Sequence, residues 1–268
     1  MALVIVGMML GRTRMRNQTP VTAKPLAIGS TPAEAAAAAP LRLPSKGQPD
    51  PEVQSVFEAV YAGKAWGEFG NGSGLGSDLY YTVTTRSVLQ QLIEELDVNS
   101  LVDCPCGAMA WMPTLLQEVA VTRPGFRYLG FDVARQVIEQ NKAAFVDKKH
   151  WQFGALDMSS QAVPAKGFDL ALTRDALQHL SCTRVVASLK NLAFSGVAHL
   201  LVGSYNSSAQ QLAAVGGMAA INLKLPPYSL PPVRLLNEQT PDGKLLYLYS
   251  ASNLQKQDFE GMAARCPP

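Results

Sequence analysis

Four acidic residues and one glycine stand where short apolar runs end, and their spacing is the clearest chemical signal in the chain. Leu101-Val-Asp103-Cys-Pro-Cys-Gly107 closes a run that begins at Ser100. Tyr128-Leu-Gly-Phe-Asp132 ends a second, 25 residues after Gly107. Phe153-Gly-Ala-Leu-Asp157 ends a third, and Thr173-Arg174-Asp175 ends a fourth, leading into Ala-Leu-Gln-His179-Leu. A glycine after a strand lets the backbone bend sharply and approach a ligand, with the amides of the following helix aimed at it. The full G-x-G-x-x-G of a dinucleotide loop is absent, so Gly107 suits a ligand whose polar end is an amino acid rather than a pyrophosphate. Asp132 is placed to accept hydrogen bonds from two ribose hydroxyls, and Asp157 to meet an adenine amino group. Asp103, Asp132 and Asp157 also read as caps of helices or turns; the register of Asp132 with Gly107 favours the ligand. His179 titrates in the range useful to a general base, and Asp175 shares that candidacy. Four residues apart, the two also read as a helical side-chain pair with no catalytic duty. Trp66, Tyr80, Tyr81 and Trp111 are candidates to line an acceptor pocket, as packing residues or as recognition; Asn206 and Asn222 are further acceptor candidates.

Such residues need strands to carry them. Ser100–Cys104, Arg127–Asp132, Trp151–Leu156, Phe168–Thr173 and Val197–Tyr205 read as strands, separated by helical patterns over 109–120, 133–146 and 183–194, the last with Ser181 as N-cap. Alternation of this kind implies right-handed crossovers and a parallel sheet with helices on both faces. Val233–Glu238 and Lys244–Ser250 flank Pro241-Asp242-Gly243 and read as a hairpin, which closes the sheet antiparallel. Ahead of the first strand, Val53, Val56, Phe57, Val60 and Tyr61 mark a helix ending near Trp66, and Val88, Leu89, Leu92, Ile93 and Leu96 mark another. Between them Gly67, Gly70, Gly72, Gly74 and Gly76 force a loop.

The chain has 268 residues, 47% of them apolar and 16% charged, enough for one large core. Six of its 23 basic residues and two of its 21 acids fall in 1–50, which leaves 17 and 19 in 51–268, a net of −2. A nearly neutral body offers no electrostatic footprint for nucleic acid. Cys104, Cys106, Cys182 and Cys266 carry no disulfide or zinc spacing and read as free thiols. Ala2–Leu10 is apolar but far short of a membrane span, and the arginines follow it rather than precede it. Residues 1–50 read as a disordered or targeting leader, compatible with an organellar transit peptide or a clipped signal anchor, and otherwise with a cytoplasmic protein. Asn17, Asn71 and Asn206 begin N-x-S/T sequons, which matter only on a secretory route.

The order D-x-P-C-G, hydrophobic-G-x-D, L-D and R-D…Q-H-L resembles the class I S-adenosylmethionine-dependent methyltransferases. Residues 64–253 are similar to a branch with a W-G…S-G-x-G-S segment, here Trp66-Gly-Glu…Gly72-Ser-Gly-Leu-Gly-Ser77. The stretch Gly216–Leu223 and Pro226-Pro-Tyr-Ser-Leu-Pro231 also matches. The resemblance implies a Rossmann-like α/β fold, a mostly parallel seven-stranded sheet with a C-terminal antiparallel hairpin. It divides the chain into a helical lid with a Gly-rich loop (51–98), a methyltransferase domain (99–255) and a C-terminal tail (256–268). It implies S-adenosyl-L-methionine as cofactor, with Asp103 and Gly107 at its methionine end, Asp132 at the ribose, Asp157 at the adenine, and Trp111 and Arg174 beside them. Asp175 and His179 would be catalytic, Trp66, Tyr81 and Asn206 would bind a small-molecule acceptor, and no metal is needed. The chain departs from the branch at Ala108, where an acid is usual, and at Ala219 and Ala220, where an arginine is. Those changes keep open a catalytically inactive methyltransferase-like binding or scaffold protein. A nicotinamide oxidoreductase is the third reading, opposed by the single glycine and the hairpin. Leu225-Pro-Pro-Tyr228 imitates the N/D-P-P-Y of amino-group methyltransferases but follows the wrong strand and lacks the polar first residue, so an oxygen acceptor is favoured.

Overall fold

The computed structural model describes residues 48–267. The leader expected over 1–50 therefore lies almost wholly outside the described residues, as does the sequon at Asn17. Helix α1 (Pro51–Ala62) starts where Asp50 caps it, its carboxylate accepting from the amides of Glu52 and Val53, with Pro51 supplying the fixed φ of a first turn. Two short 3-10 turns, Phe69–Gly72 and Leu75–Ser77, interrupt the glycine loop. Helix α2 (Val83–Glu95) follows and buries Leu89, Leu92 and Ile93 completely or nearly so. Each such aliphatic side chain contributes about 2 kcal/mol relative to exposure.

The alternating body is β1 (Ser100–Asp103), α3 (Met112–Thr122), β2 (Arg127–Asp132), α4 (Arg135–Ala144), β3 (Trp151–Ala155), β4 (Leu170–Thr173), α5 (Cys182–Ala193) and β5 (His199–Tyr205). The hairpin β6 (Arg234–Asn237) and β7 (Lys244–Ser250) precedes two short helices, α6 (Ala251–Leu254) and α7 (Phe259–Ala264). Seven strands form one sheet in the order β3-β2-β1-β4-β5-β7-β6. The first five are parallel, and β7 runs antiparallel between β5 and β6. Two apolar clusters cover the two faces, so β1 and β4 are buried along their whole length. That explains their near-continuous hydrophobic reading. Strand order reverses between β1 and β4, and the crevice beyond their carboxyl ends is where such a sheet collects ligands.

Two expectations need correcting. Cys182 and Cys266 are not free: they form a disulfide whose Cα atoms lie 5.6 Å apart across 84 residues of sequence. The link pins α7 to the start of α5, beside a Lys190–Glu260 ion pair, and Phe259 and Met262 of α7 are buried. Cys104 and Cys106 remain free and buried. Ser181 does occupy the N-cap position of α5, but its hydroxyl pairs with Thr183 and caps nothing. Among the described residues no helix is long and apolar enough to cross a membrane.

Candidate functional site

A hollow, partly open to solvent, lies over the carboxyl ends of β1, β2, β3 and β4. Its floor is the strand tips, and its cover is α1 (Val53, Phe57, Tyr61) with Trp66, Ser73 and Ser77 of the glycine loop. Asp103, Gly107, Trp111, Asp132, Asp157, Arg174, Asp175, His179 and Trp66 all line it. Nine positions scattered over more than a hundred residues of sequence thus meet at one place.

Gly107 turns with φ +56, and a Cβ there would come within 2.9 Å of Ser73 Oγ, so the bend and the cover both require glycine. Its amide donates to Asp132 Oδ2 at 3.0 Å, while the Ala134 amide donates to Oδ1 at 2.9 Å. Burial pushes the Asp132 carboxyl up to about 6 against these amide donors, which favour the ionised form. Asp103 rises further, to about 7: burial dominates, Asp132 adds to it, and the Tyr128 hydroxyl, donating at 2.8 Å, opposes it. Asp157 accepts four donors, the amide and hydroxyl of Ser159, the hydroxyl of Ser160 and the amide of Asp50. The last is the longest at 3.3 Å and comes from the start of α1, which Arg184 holds through Asp50 and Glu52.

At the tip of β4 the chemistry is different. Arg174 gives Nε and one terminal nitrogen to Glu238 Oε2, at 2.9 and 2.6 Å, and its other terminal nitrogen to the Gly76 carbonyl and to Asp175. Thr85 Oγ1 also donates to Glu238. Asp175, at φ +52, accepts from Lys244 Nζ at 2.8 Å and from Gln178. Burial raises its carboxyl, but the Arg174 and Lys244 charges outweigh that and hold it below the usual range. A Cβ on Gly76 would meet Asp175 Oδ2 at 2.1 Å, so the cover sits directly on this ion cluster. The helical pairing of Asp175 with His179 does not form. His179 Nδ1 instead lies 2.6 Å from the Gly217 carbonyl. A carbonyl only accepts, so Nδ1 carries the proton and Nε2 keeps its lone pair. Burial lowers the imidazole's pKa, and its ring stacks on Trp66 with centroids 4.8 Å apart.

Four candidates stand off the hollow. Tyr81 turns towards the hairpin, donating to Asp242 at 2.7 Å. Asn206 is exposed at the end of β5 and bonds the same turn through its amide to Gly243, and Tyr80 is exposed to solvent. Asn222 is engaged with Tyr247 and the Ser207 carbonyl. Ala219 sits in the core, 1% exposed, where a longer cation has no room. The Ala108 amide donates to Ser73 Oγ. Pro226 and Pro227 do not reach the hollow, and Tyr228 is buried in the core. Residues not anticipated are Val53, Phe57, Tyr61, Ser73, Ser77, Met158 and Leu180 in the lining, and Glu238 and Lys244 behind it. Ser73 and Ser77 were visible in the S-G-x-G-S segment; the α1 stripe looks the same whether it faces a core or a cavity.

No protein-family model matches the chain, and no curated protein does. Solved structures do resemble it. Human N-acetylserotonin methyltransferase, solved in complex with S-adenosylmethionine, superposes with a TM-score of 0.50 at 15% identity, over 73% of this chain and 58% of that one. The O-methyltransferase of a trans-AT PKS multienzyme of Brevibacillus brevis, in complex with S-adenosyl-L-homocysteine, gives 0.49 at 13% identity, over 69% and 76%. The methyltransferase domain of bacterial CtHen1 gives 0.49 at 14%, over 63% and 98%. The likeness to the human enzyme is one of fold, and the chain spans little more than half of that enzyme's length. The fold is the Rossmann-like α/β fold of the class I methyltransferases.

Proposed function

We propose that this chain, with its class I methyltransferase fold, binds S-adenosyl-L-methionine in the hollow and methylates a small acceptor held beneath α1, at oxygen. The observation that carries the reading is the convergence of Gly107, Asp132 and Asp157 on one cavity that also receives His179. The residues fit the cofactor. The lining is acidic where a ribose and an ammonium need acceptors. The glycine cradle is one that a Cβ would fill. An open cavity also speaks against a silent scaffold.

Asp132 would accept from the ribose hydroxyls with the lone pairs its two amide donors leave. Asp103 and the Gly107 bend would face the amino-acid end. Asp157 has no spare lone pair, so contact with an adenine amino group requires it to release the Asp50 amide, its longest bond. When bound, the cofactor supplies an electrophilic methyl group on a sulfonium. The protein's part is to hold the acceptor in line and dry, which α1 and Trp66 do by covering the hollow. His179 would take the acceptor proton at Nε2, and the Gly217 carbonyl would steady the resulting imidazolium through Nδ1–H. Asp175 is the poorer base, since two cations keep it ionised and weakly basic.

Calorimetric titration of the full chain with S-adenosylhomocysteine tests the reading. Binding is expected, weakened about 30-fold or more in Asp132→Ala through loss of hydrogen bonds to a charged acceptor. Absence of heat with the unmutated protein overturns it.

A further inference from the structure

Charge in the hollow is one-sided. Asp132, Asp157 and Asp175 face it, with Asp103, whose carboxyl is raised to about 7 and so partly protonated near neutrality, against a single guanidinium, Arg174. That guanidinium is committed: Glu238, the Gly76 carbonyl and Asp175 take both terminal nitrogens and Nε, and its side chain is only 3% exposed. Lys244, the next cation, is 9% exposed and held by Asp175 and Asp242. His179 is kept neutral by burial, and Nδ1–H is already given to a carbonyl. Among the described residues that line the hollow, none offers an unspent positive charge. S-adenosyl-L-methionine brings one net positive charge and S-adenosylhomocysteine none, so either leaves the hollow negative. A carboxylate or phosphate on the acceptor would be desolvated beside like charges with no counter-ion.

The walls around His179 are aromatic. Phe57 and Tyr61 meet Trp66 at centroid distances of 6.0 and 6.1 Å, tilted and edge-on, and His179 stacks on the same indole. Such walls favour flat, apolar faces. Resting on the methyl-transfer reading above, we infer that the acceptor is a planar hydroxyl compound that carries no anionic group, and that the site refuses anionic acceptors. The acceptor subsite therefore selects by charge as well as by shape. Asp175 sets the sign of that selection, and the Glu238–Arg174 pair behind it keeps the guanidinium from neutralising an anion.

The test uses three probes on one scaffold, 2-naphthol, 2-naphthoate and 2-naphthylmethylammonium, titrated into the full chain saturated with S-adenosylhomocysteine. The expected result is that naphthol binds at least tenfold tighter than naphthoate, and that the ammonium also binds tighter than naphthoate. Trp66→Leu should weaken naphthol at least fivefold, and Asp175→Asn should narrow the naphthol-to-naphthoate ratio. Naphthoate binding as well as naphthol overturns the inference, and so does ammonium binding no tighter than naphthoate or binding by none of the three. Each of those outcomes leaves intact the cofactor reading, which fails only if S-adenosylhomocysteine itself does not bind. The wild-type ratios decide the matter even if Asp175→Asn does not fold.

Discussion

Asp103→Asn should stabilise the ligand-free protein at alkaline pH, relative to the unmutated chain, while leaving the two comparable in acid. Burial raises the Asp103 carboxyl to about 7, against 3.8 for the same group in water. A folded-state pKa above the unfolded one means the folded form binds the proton more tightly. Stability from this group is then fully present below about 3.8 and is lost as pH rises through 7. The difference of roughly three units corresponds to about 4 kcal/mol, of which about 3 falls between pH 4.5 and 8.5. Asparagine stays neutral and still accepts from the Tyr128 hydroxyl, so the variant escapes that loss. His179 works in the opposite sense, since a depressed imidazole pKa costs stability as pH falls below about 6.5, but it is present in both proteins and cancels in the comparison. Asp132, raised to about 6, shares part of the effect because it faces the same acid. Urea unfolding followed by tryptophan fluorescence at five pH values gives the difference directly. A stability gap between the two proteins that stays constant within about 0.5 kcal/mol from pH 4.5 to 8.5 refutes the reasoning.

Two further perturbations probe the supports behind the hollow. Glu238→Ala takes from the buried Arg174 guanidinium two of its hydrogen bonds and the closer of its two carboxylate partners and should cost about 3–5 kcal/mol, lowering the thermal midpoint by roughly 10 °C; a shift below about 2 °C contradicts the pairing. Reducing the Cys182–Cys266 disulfide opens a closure of 84 residues and should remove up to about 4 kcal/mol, read as a lower urea midpoint with a phosphine reductant than without it.

Position along the chain explains what could be read in advance. The tips of β1 and β2 are legible because burial on both faces writes a near-continuous apolar run and the first residue to break it is the tip, Asp103 or Asp132; β3, an edge strand with Gln152 and an exposed Ala155, gives Asp157 a weaker signal. The lid was expected over 51–98, but not which of its side chains face the hollow, because Phe57 and Tyr61 satisfy the same helical period against a cavity as against a core. The disulfide was hidden for a different reason. Cys182 and Cys266 lie 84 residues apart, and only the return of the chain from β7 through α6 brings α7 against α5. Tyr81 and Asn206 failed as lining residues because the hairpin turn at Asp242 and Gly243 competes for them, and sequence carries no measure of that competition.

The tip of β4 shows what the strand-end rule leaves undecided. It locates charged residues at the mouth of the sheet without saying whether they serve a ligand or the scaffold. Arg174 and Asp132 look equivalent in sequence, each at the end of an apolar run before a helix. Their partners separate them. Asp132 receives two backbone amides and retains lone pairs facing the hollow, whereas Arg174 meets Glu238 from β6's end, Gly76 from the cover and Asp175 beside it. The guanidinium therefore ties hairpin, cover and sheet together, and a cation that would otherwise attract an anion becomes structural. A change on the hairpin at Glu238 would release that charge into the hollow, so acceptor charge preference is set partly by a residue that does not line the cavity.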